Sequence, residues 1–432
     1  MTSVGIVLLA SLVVLLVIGV PVAYGMGLAA FLAIIETGTL PTMVFAQRLF
    51  TATNNFPLMA IIFFMLAGEL MMQGGISKRL INLATALLGG LRGNLALISV
   101  MTCALFSSMS GSALATTAAV GGIMCPEMVK RGYKGDFAAA LQAVSGTLGI
   151  LFPPAIPLVI YGVLTGVSIG DLFLAVIGAG FVFTILYMGA AMFTIMREGI
   201  DKRHPGGTEK RERISILAAL KDAIWGLLTP VIILGGIYSG IFTPTESAIV
   251  ACVYALIVGV FVYREINLKI LFNCLGKCAL SASSVMFIIA TATLFGWVMT
   301  AQGIPVMVSQ AVIALTDSKI VFLLLVNLVY LVAGMFMETA TLILILVPLF
   351  LPVAMEFDIS PLHFGIITIA NLSIGLFTPP FGATLFVAAS VSRESITRVY
   401  LRTAPFVVAG LIGTLLVTFV PALSLGILAL FQ

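Results

Sequence analysis

Charge is what this sequence has least of. Asp, Glu, Lys and Arg make up 9% of its 432 residues while 61% are hydrophobic, whereas a soluble domain is about one-quarter charged. A mean hydropathy of +1.22 excludes a water-soluble fold and points to a chain that lives in lipid. Histidine is scarcer still: His204 lies in a charged loop and His363 at a helix start, so a zinc or haem site lacks ligands. The five cysteines, Cys103, Cys125, Cys252, Cys274 and Cys278, sit in or beside apolar segments without CxxC pairs, and read as small buried hydrophobes. HExxH is missing, as is GxSxG in a strand-to-helix setting, which argues against an intramembrane enzyme. The formal charge of +4 is spread over several loops and forms no nucleic-acid patch. The start, MTSVGIVLLASLVV, has neither a basic n-region nor a small-residue cleavage site, so its apolar run is expected to remain as a helix.

What the chain does have is one long apolar run after another. About 20 apolar residues in a helix bridge a bilayer, and helices satisfy their own backbone there. Crossings are expected at 4–20, 22–36, 57–73, 137–166, 171–196, 222–240, 244–262, 279–300, 362–391 and 404–430. Two further stretches, 94–130 and 319–356, are interrupted by SSMSGSA at 107–113 and METAT at 337–341, the pattern of helical hairpins. Arms of 13 to 17 residues reach about 20 to 25 Å, short of a full span. Two crossings leave the same parity as one re-entrant hairpin, so the hairpins are expected, but not required, to be re-entrant.

The basic residues then partition. Lys78, Arg79, Arg92, Lys130, Arg131, Lys134, the run from Arg197 to Lys221, Arg264, Lys269, Lys277, Arg393, Arg398 and Arg402 fall on one side, and only Arg48 and Lys319 on the other. The positive-inside rule places the first group in the cytoplasm and both termini outside. Stretches 76–92 and 264–278 read as amphipathic helices at the cytoplasmic interface. At an offset of 226 residues Pro126 matches Pro352, Gly149 matches Gly375, and Pro153-Pro154 matches Pro379-Pro380. Each half holds five crossings and one hairpin, and an odd number turns the second half upside down. The expected fold is therefore an all-α polytopic membrane protein with an inverted structural repeat: 1–200, a cytoplasmic connector at 201–221, and 222–432. Inverted repeats mark secondary transporters, whose sites lie near the midplane.

A Pro-Pro pair removes two amide donors, so breaks are expected at Phe152 and Thr378, giving broken helices 137–166 and 362–391. The freed carbonyls must line a cavity or coordinate a cation, and sodium suits hard oxygen ligands. Ser107, Ser108, Ser110, Gly111 and Ser112 face Ser145, Thr147 and Gly149 in the first half; Gly334, Glu338 and Thr339 face Asn371, Ser373, Gly375 and Thr378 in the second. Serine, threonine and glycine also line ordinary helix contacts in membranes; the occurrence of tip plus break twice is what points to a site. Half-helix amino termini suit a substrate carboxylate. With no Lys or Arg expected at membrane depth, these dipoles and bound sodium must neutralise an anion. Among the acids flanked by apolar sequence, Glu338 is the expected site residue, Glu69 a further candidate, Glu127 a solvated hairpin end beside Lys130 and Arg131, and Glu246 in IFTPTESAIV a helix cap.

The segments AQRLF at 46–50, FPLMAIIFFMLAGELM at 56–71, GSALATTAAVGGIMCPEM at 111–128, GILFPPAIPLVIYG at 149–162, YSGIFTPTESA at 238–248 and IGLFTPPFGATLFVAAS at 374–390 resemble the large membrane subunit of tripartite ATP-independent periplasmic (TRAP) transporters over essentially the whole chain. The resemblance implies an elevator-type secondary transporter of the bacterial inner membrane, coupled to sodium. It also implies a separate small membrane subunit of about four helices and a periplasmic substrate-binding protein as partners. Carried onto this chain, the sodium sites would involve Ser107, Ser110, Ser145, Gly146 and Gly149, and Gly334, Met337, Glu338, Asn371, Gly375 and Thr378. Substrate contacts would come from Ser108, Ser112, Thr147, Pro154, Thr339, Ser373 and Pro380. Asn54 stands where the family usually carries an acid. The implied cargo is an organic anion: sialic acid or another sugar acid, or a C4-dicarboxylate. No cofactor is expected beyond sodium as coupling ion. A stand-alone sodium/dicarboxylate-type symporter needing no binding protein is the alternative.

Overall fold

The computed structural model describes residues 3–38, 41–91, 93–199 and 215–429. Among these every regular element is helical. The first half runs α1 (Ser3–Val17), α2 (Val22–Thr37), α3 (Met43–Thr53), α4 (Met59–Gln73) and α5 (Ile76–Leu88). A hairpin follows, α6 (Asn94–Ser110) and α7 (Ala113–Lys130), then α8 (Gly135–Gly146), α9 (Ile156–Thr165) and the long α10 (Ile169–Glu198). The second half runs α11 (Ile216–Tyr238), α12 (Pro244–Ile257), α13 (Leu268–Ala301), α14 (Ile304–Leu315), a hairpin of α15 (Lys319–Gly334) and α16 (Thr339–Glu356), then α17 (Pro361–Gly375) and α18 (Ala383–Ser392). α19 (Ile396–Arg402), α20 (Ala404–Phe419) and α21 (Ala422–Ala429) close the chain.

The two halves match element by element. α7 begins at Ala113 and α16 at Thr339, α8 at Gly135 and α17 at Pro361, at the same offset of 226. Pro153-Pro154 and Pro379-Pro380 are both cis. The breaks fall where the proline pairs put them: α8 tightens into a 3₁₀ turn at Thr147–Ile150, and α17 ends at Gly375. One departure is local. The first half is interrupted between α3 and α4, where Pro57 can donate no backbone bond, and a 3₁₀ turn at Phe56–Leu58 bridges the gap. The second half has no proline in the equivalent stretch, and α13 runs unbroken for 34 residues from a cap in which Asn267 Oδ1 accepts from Ile270 N. The expectation of a separate interfacial helix at 264–278 is therefore corrected: from Leu268 that stretch is the first part of a span. In the stretch 76–92 a separate helix forms, α5, over Ile76–Leu88.

Among the described residues six helices are long and apolar enough to cross a membrane, or seven if α19 and α20, bent by 53°, count as one. α1 and α2, with 15 and 16 residues, fall short of that length, and the broken helices contribute paired short pieces. The hairpin arms hold 16 to 18 residues, against the 13 to 17 expected, because α6 runs on to Ser110, α7 starts at Ala113 and α16 at Thr339, inside the interruptions expected at 107–113 and 337–341. α3 and α14 were not expected as separate helices. The connector expected at 201–221 lies outside the described residues as far as 214, and α11 already begins at Ile216.

Two charge clusters tie helix ends. Arg402 bonds both Asp136 at the start of α8 and Glu198 at the end of α10, and Lys134 Nζ lies 3.3 Å from Glu198 Oε2. Arg79 on α5 reaches Glu265 at 2.9 Å and Asp222 at 3.5 Å, with its guanidinium over the Tyr263 ring. Both clusters consist of residues on the basic side of the charge partition. On the opposite side Arg48 lies over Trp297 and Lys319 donates to the Asp358 carbonyl. Glu246 caps α12 through a reciprocal box with Thr243, as its sequence suggested.

A cavity between hairpin tips and two long helices

Each hairpin tip is seated on the break of its own half. In the first half α6 turns at Gly111, whose φ of +61° suits glycine. The Gly111 carbonyl accepts from Ile156 N at 3.2 Å, which binds the tip to the start of α9. Ser112 caps α7, accepting from Ala115 N. A Cβ on Gly149 would lie 2.6 Å from the Ser112 carbonyl carbon, so the 3₁₀ turn meets the tip backbone to backbone. In the second half a Cβ on Gly375 would lie 2.6 Å from Gly334 Cα, the corresponding contact. Small residues at these positions let the chains approach this closely.

The oxygens behind the tips are mostly spent on nearby carbonyls. Ser107 donates to Cys103 O, Thr147 to Val144 O, Ser373 to Ala370 O and Thr378 to Ile374 O. A hydroxyl that donates in this way keeps its lone pairs for a cation. Ser145 is different: fully buried, its Oγ has no hydrogen-bond partner. One turn away, Gln142 bonds Ser99 and accepts from Cys103, fixing α8 against α6. Asn371 donates to Asn327 Oδ1 at 2.7 Å and to Ile367 O at 2.9 Å, both through its amide nitrogen. Tyr187 on α10, also fully buried, likewise has a hydroxyl without a hydrogen-bond partner. Its ring lies edge-on to Phe377.

A cavity of about 460 Å³ opens in front of the tips. One wall carries Ser110, Gly111, Ser112 and the first residues of α7, together with Glu338, Thr339 and Ala340. α4 and α13 line the same space through Gly68, Glu69, Met72, Lys277, Ser281 and Ser284, with Gly68 packed on the Ser110 backbone. Glu338 occupies the cap position of α16 without capping it, so its carboxylate is left for the cavity. Of the residues singled out from sequence, Ser110, Ser112, Glu338 and Thr339 line this space, and Gly111 shapes its tip. Ser107, Ser145, Gly146, Thr147, Gly149, Gly334, Asn371, Ser373, Gly375 and Thr378 are buried behind it. Met337 is half-buried beside Glu338. Ser108 is half-buried and donates to Leu105 O, the Pro154 carbonyl abuts Gly111, and the exposed Pro380 gives its carbonyl to Tyr400. Asn54 lies exposed at the end of α3.

Lys277, which the charge partition groups with the cytoplasmic residues, lines the cavity, with its Nζ 3.3 Å from Glu69 Oε1. Glu69 was legible as an acid in apolar sequence; its partner, 208 positions away, was not.

Hairpins seated on broken helices around one cavity, in an all-helical membrane chain, define a polytopic membrane transporter. Residues 9–423 match the model of the tripartite ATP-independent periplasmic transporter family, DctM component, and the chain belongs to that family, which consists of permeases and not enzymes. It is 41% identical over 95% of its length to the isethionate TRAP transporter permease protein DctMQ of Oleidesulfovibrio alaskensis, of which it spans 64%. It is 42% identical to the C4-dicarboxylate TRAP transporter large permease protein DctM of Pseudomonas aeruginosa, over 93% of each chain. With the sialic acid TRAP transporter large permease protein SiaM of Vibrio cholerae it shares 39% identity over 87% of each chain. In fold it is similar to the YdaH transporter of Alcanivorax borkumensis, with a TM-score of 0.62 over 86% of each chain at 16% identity.

Proposed function

We propose that this chain carries an organic anion across the bacterial inner membrane by sodium-coupled symport, with both termini periplasmic. The observation that carries the reading is the doubled contact of a hairpin tip with a proline-broken helix, once where Ser112 meets Gly149 and Gly111 bonds Ile156, and once where Gly334 meets Gly375. Breaks of this kind free carbonyls that a hard cation can take up. The unpartnered Ser145 hydroxyl, the lone pairs of Ser107, and the backbone of Gly146 and Gly149 supply one sodium site. Glu338, the Asn371 side-chain oxygen, Thr378 and the backbone of Gly334 and Gly375 supply the other. The anion sits in the cavity before the tips, at Ser110, Ser112 and Thr339. Its chemistry follows from the relatives, which are named for a sulfonate, dicarboxylates and sialic acid.

The hairpins and broken helices move as a body past α4 and α13, an elevator motion in which the repeats 1–200 and 222–432 each contribute to both parts. A small membrane subunit braces the fixed part and a periplasmic binding protein delivers the anion. The test is uptake of isethionate, succinate or N-acetylneuraminate into proteoliposomes holding the chain and its small subunit, with and without an inward sodium gradient and the binding protein. Uptake requiring both supports the tripartite symporter. Uptake without binding protein supports a stand-alone symporter, and indifference to sodium overturns the ion sites.

A further inference from the structure

We propose that Lys277 receives the anionic head of the substrate and that Glu69 is its internal competitor, holding the ammonium while the cavity is empty. The inference rests on the transport reading above and adds a specificity-determining residue to the same cavity. Lys277 on α13 is the one basic side chain lining that cavity among the described residues. It shares that cavity with the capped start of α7 at Ser112 and with Glu338. Its Nζ is 3.3 Å from Glu69 Oε1, and the same oxygen accepts from Gln73 Nε2 at 3.2 Å.

The two partners differ in freedom. The lysine side chain is 52% exposed and the glutamate 17%. The acid is therefore the anchored member, gripped by its own helix, and the ammonium the one able to turn toward a ligand. While the cavity is empty, Glu69 gives the ammonium its counter-charge. An arriving carboxylate or sulfonate offers the ammonium what Glu69 offers it, and three N–H donors let it hold both during exchange. Swapping one oxyanion for another keeps the anion from being held too tightly to leave, which a carrier requires.

A brace between α4 and α13 is the competing role, and binding separates the two. Isethionate, succinate and N-acetylneuraminate are titrated by calorimetry into the chain assembled with its small subunit, at saturating sodium. Lys277→Gln is expected to raise the Kd of the anion that binds by about tenfold or more. Lys277→Arg restores most of the affinity, and Glu69→Gln lowers the Kd because the competing carboxylate is gone. Sodium half-saturation stays that of the parent in all three. Equal weakening by Lys277→Gln and Glu69→Gln would identify a brace and overturn the inference, as would a parental Kd in Lys277→Gln. If the parent complex binds none of the three anions with sodium present, the transport reading fails first and this inference falls with it.

Discussion

Glu338 shows what a single side chain contributes. An acid at the cap position of a membrane helix would ordinarily satisfy the first amides, and Glu246 does so on α12 through Thr243. Glu338 leaves that position unused and opens onto the cavity. Glu338→Gln keeps the shape and removes the charge, so sodium-driven uptake is expected to need several-fold more sodium while the thermal midpoint hardly moves; an unchanged sodium curve removes Glu338 from the ion site. Gly375 acts by having no side chain. A methyl group there would collide with the Gly334 backbone, and overpacking of this kind costs about 1–3 kcal/mol. Gly375→Ala is expected to lower the thermal midpoint and raise the sodium requirement together, read by a melt and by sodium-dependent uptake on the same preparation.

Among the elements, the paired proline breaks and the single unbroken α13 carry the most. Broken helices need a missing amide donor, and Pro153, Pro154, Pro379 and Pro380 provide it at matched places. In Pro379→Ala the donor returns, the helix partly re-forms, and fewer carbonyls are free for a cation. Half-saturation by sodium should rise, and an unchanged value would count against carbonyl coordination at that break. These breaks were legible in sequence because proline acts locally. The continuity of α13 was not: Lys269 and Lys277 suggested an interfacial segment, but charges on one face do not interrupt the backbone ladder, and nothing between Leu268 and Ala301 removes a donor.

For the whole molecule, the division between a wall of hairpin tips and a wall of α4 and α13 is the testable feature. Ser112, on the first hairpin, and Ser281, on α13, line the same cavity. With the five native cysteines replaced, Ser112→Cys together with Ser281→Cys is expected to be bridged by a short thiol-reactive cross-linker. Bridging should arrest whatever uptake the unbridged double variant shows, until the link is cleaved. Free uptake by the bridged protein would mean that the walls do not move past one another.

The sequence alone determined the features that depend on nearest neighbours along the chain: apolar runs too long for a soluble fold, hairpin turns at the glycine- and serine-rich interruptions, breaks at proline pairs, and the repeat at a constant offset. Each follows from backbone donors and side-chain polarity that any segment carries wherever it sits. The tertiary structure decided what depends on distance across the fold. It joined Glu69 to Lys277, turned Asn371 toward Asn327, left Ser145 without a partner, and set the Tyr187 ring edge-on to Phe377. Such pairings are contacts between helices far apart in sequence, and only the packing of those helices selects which side chains meet.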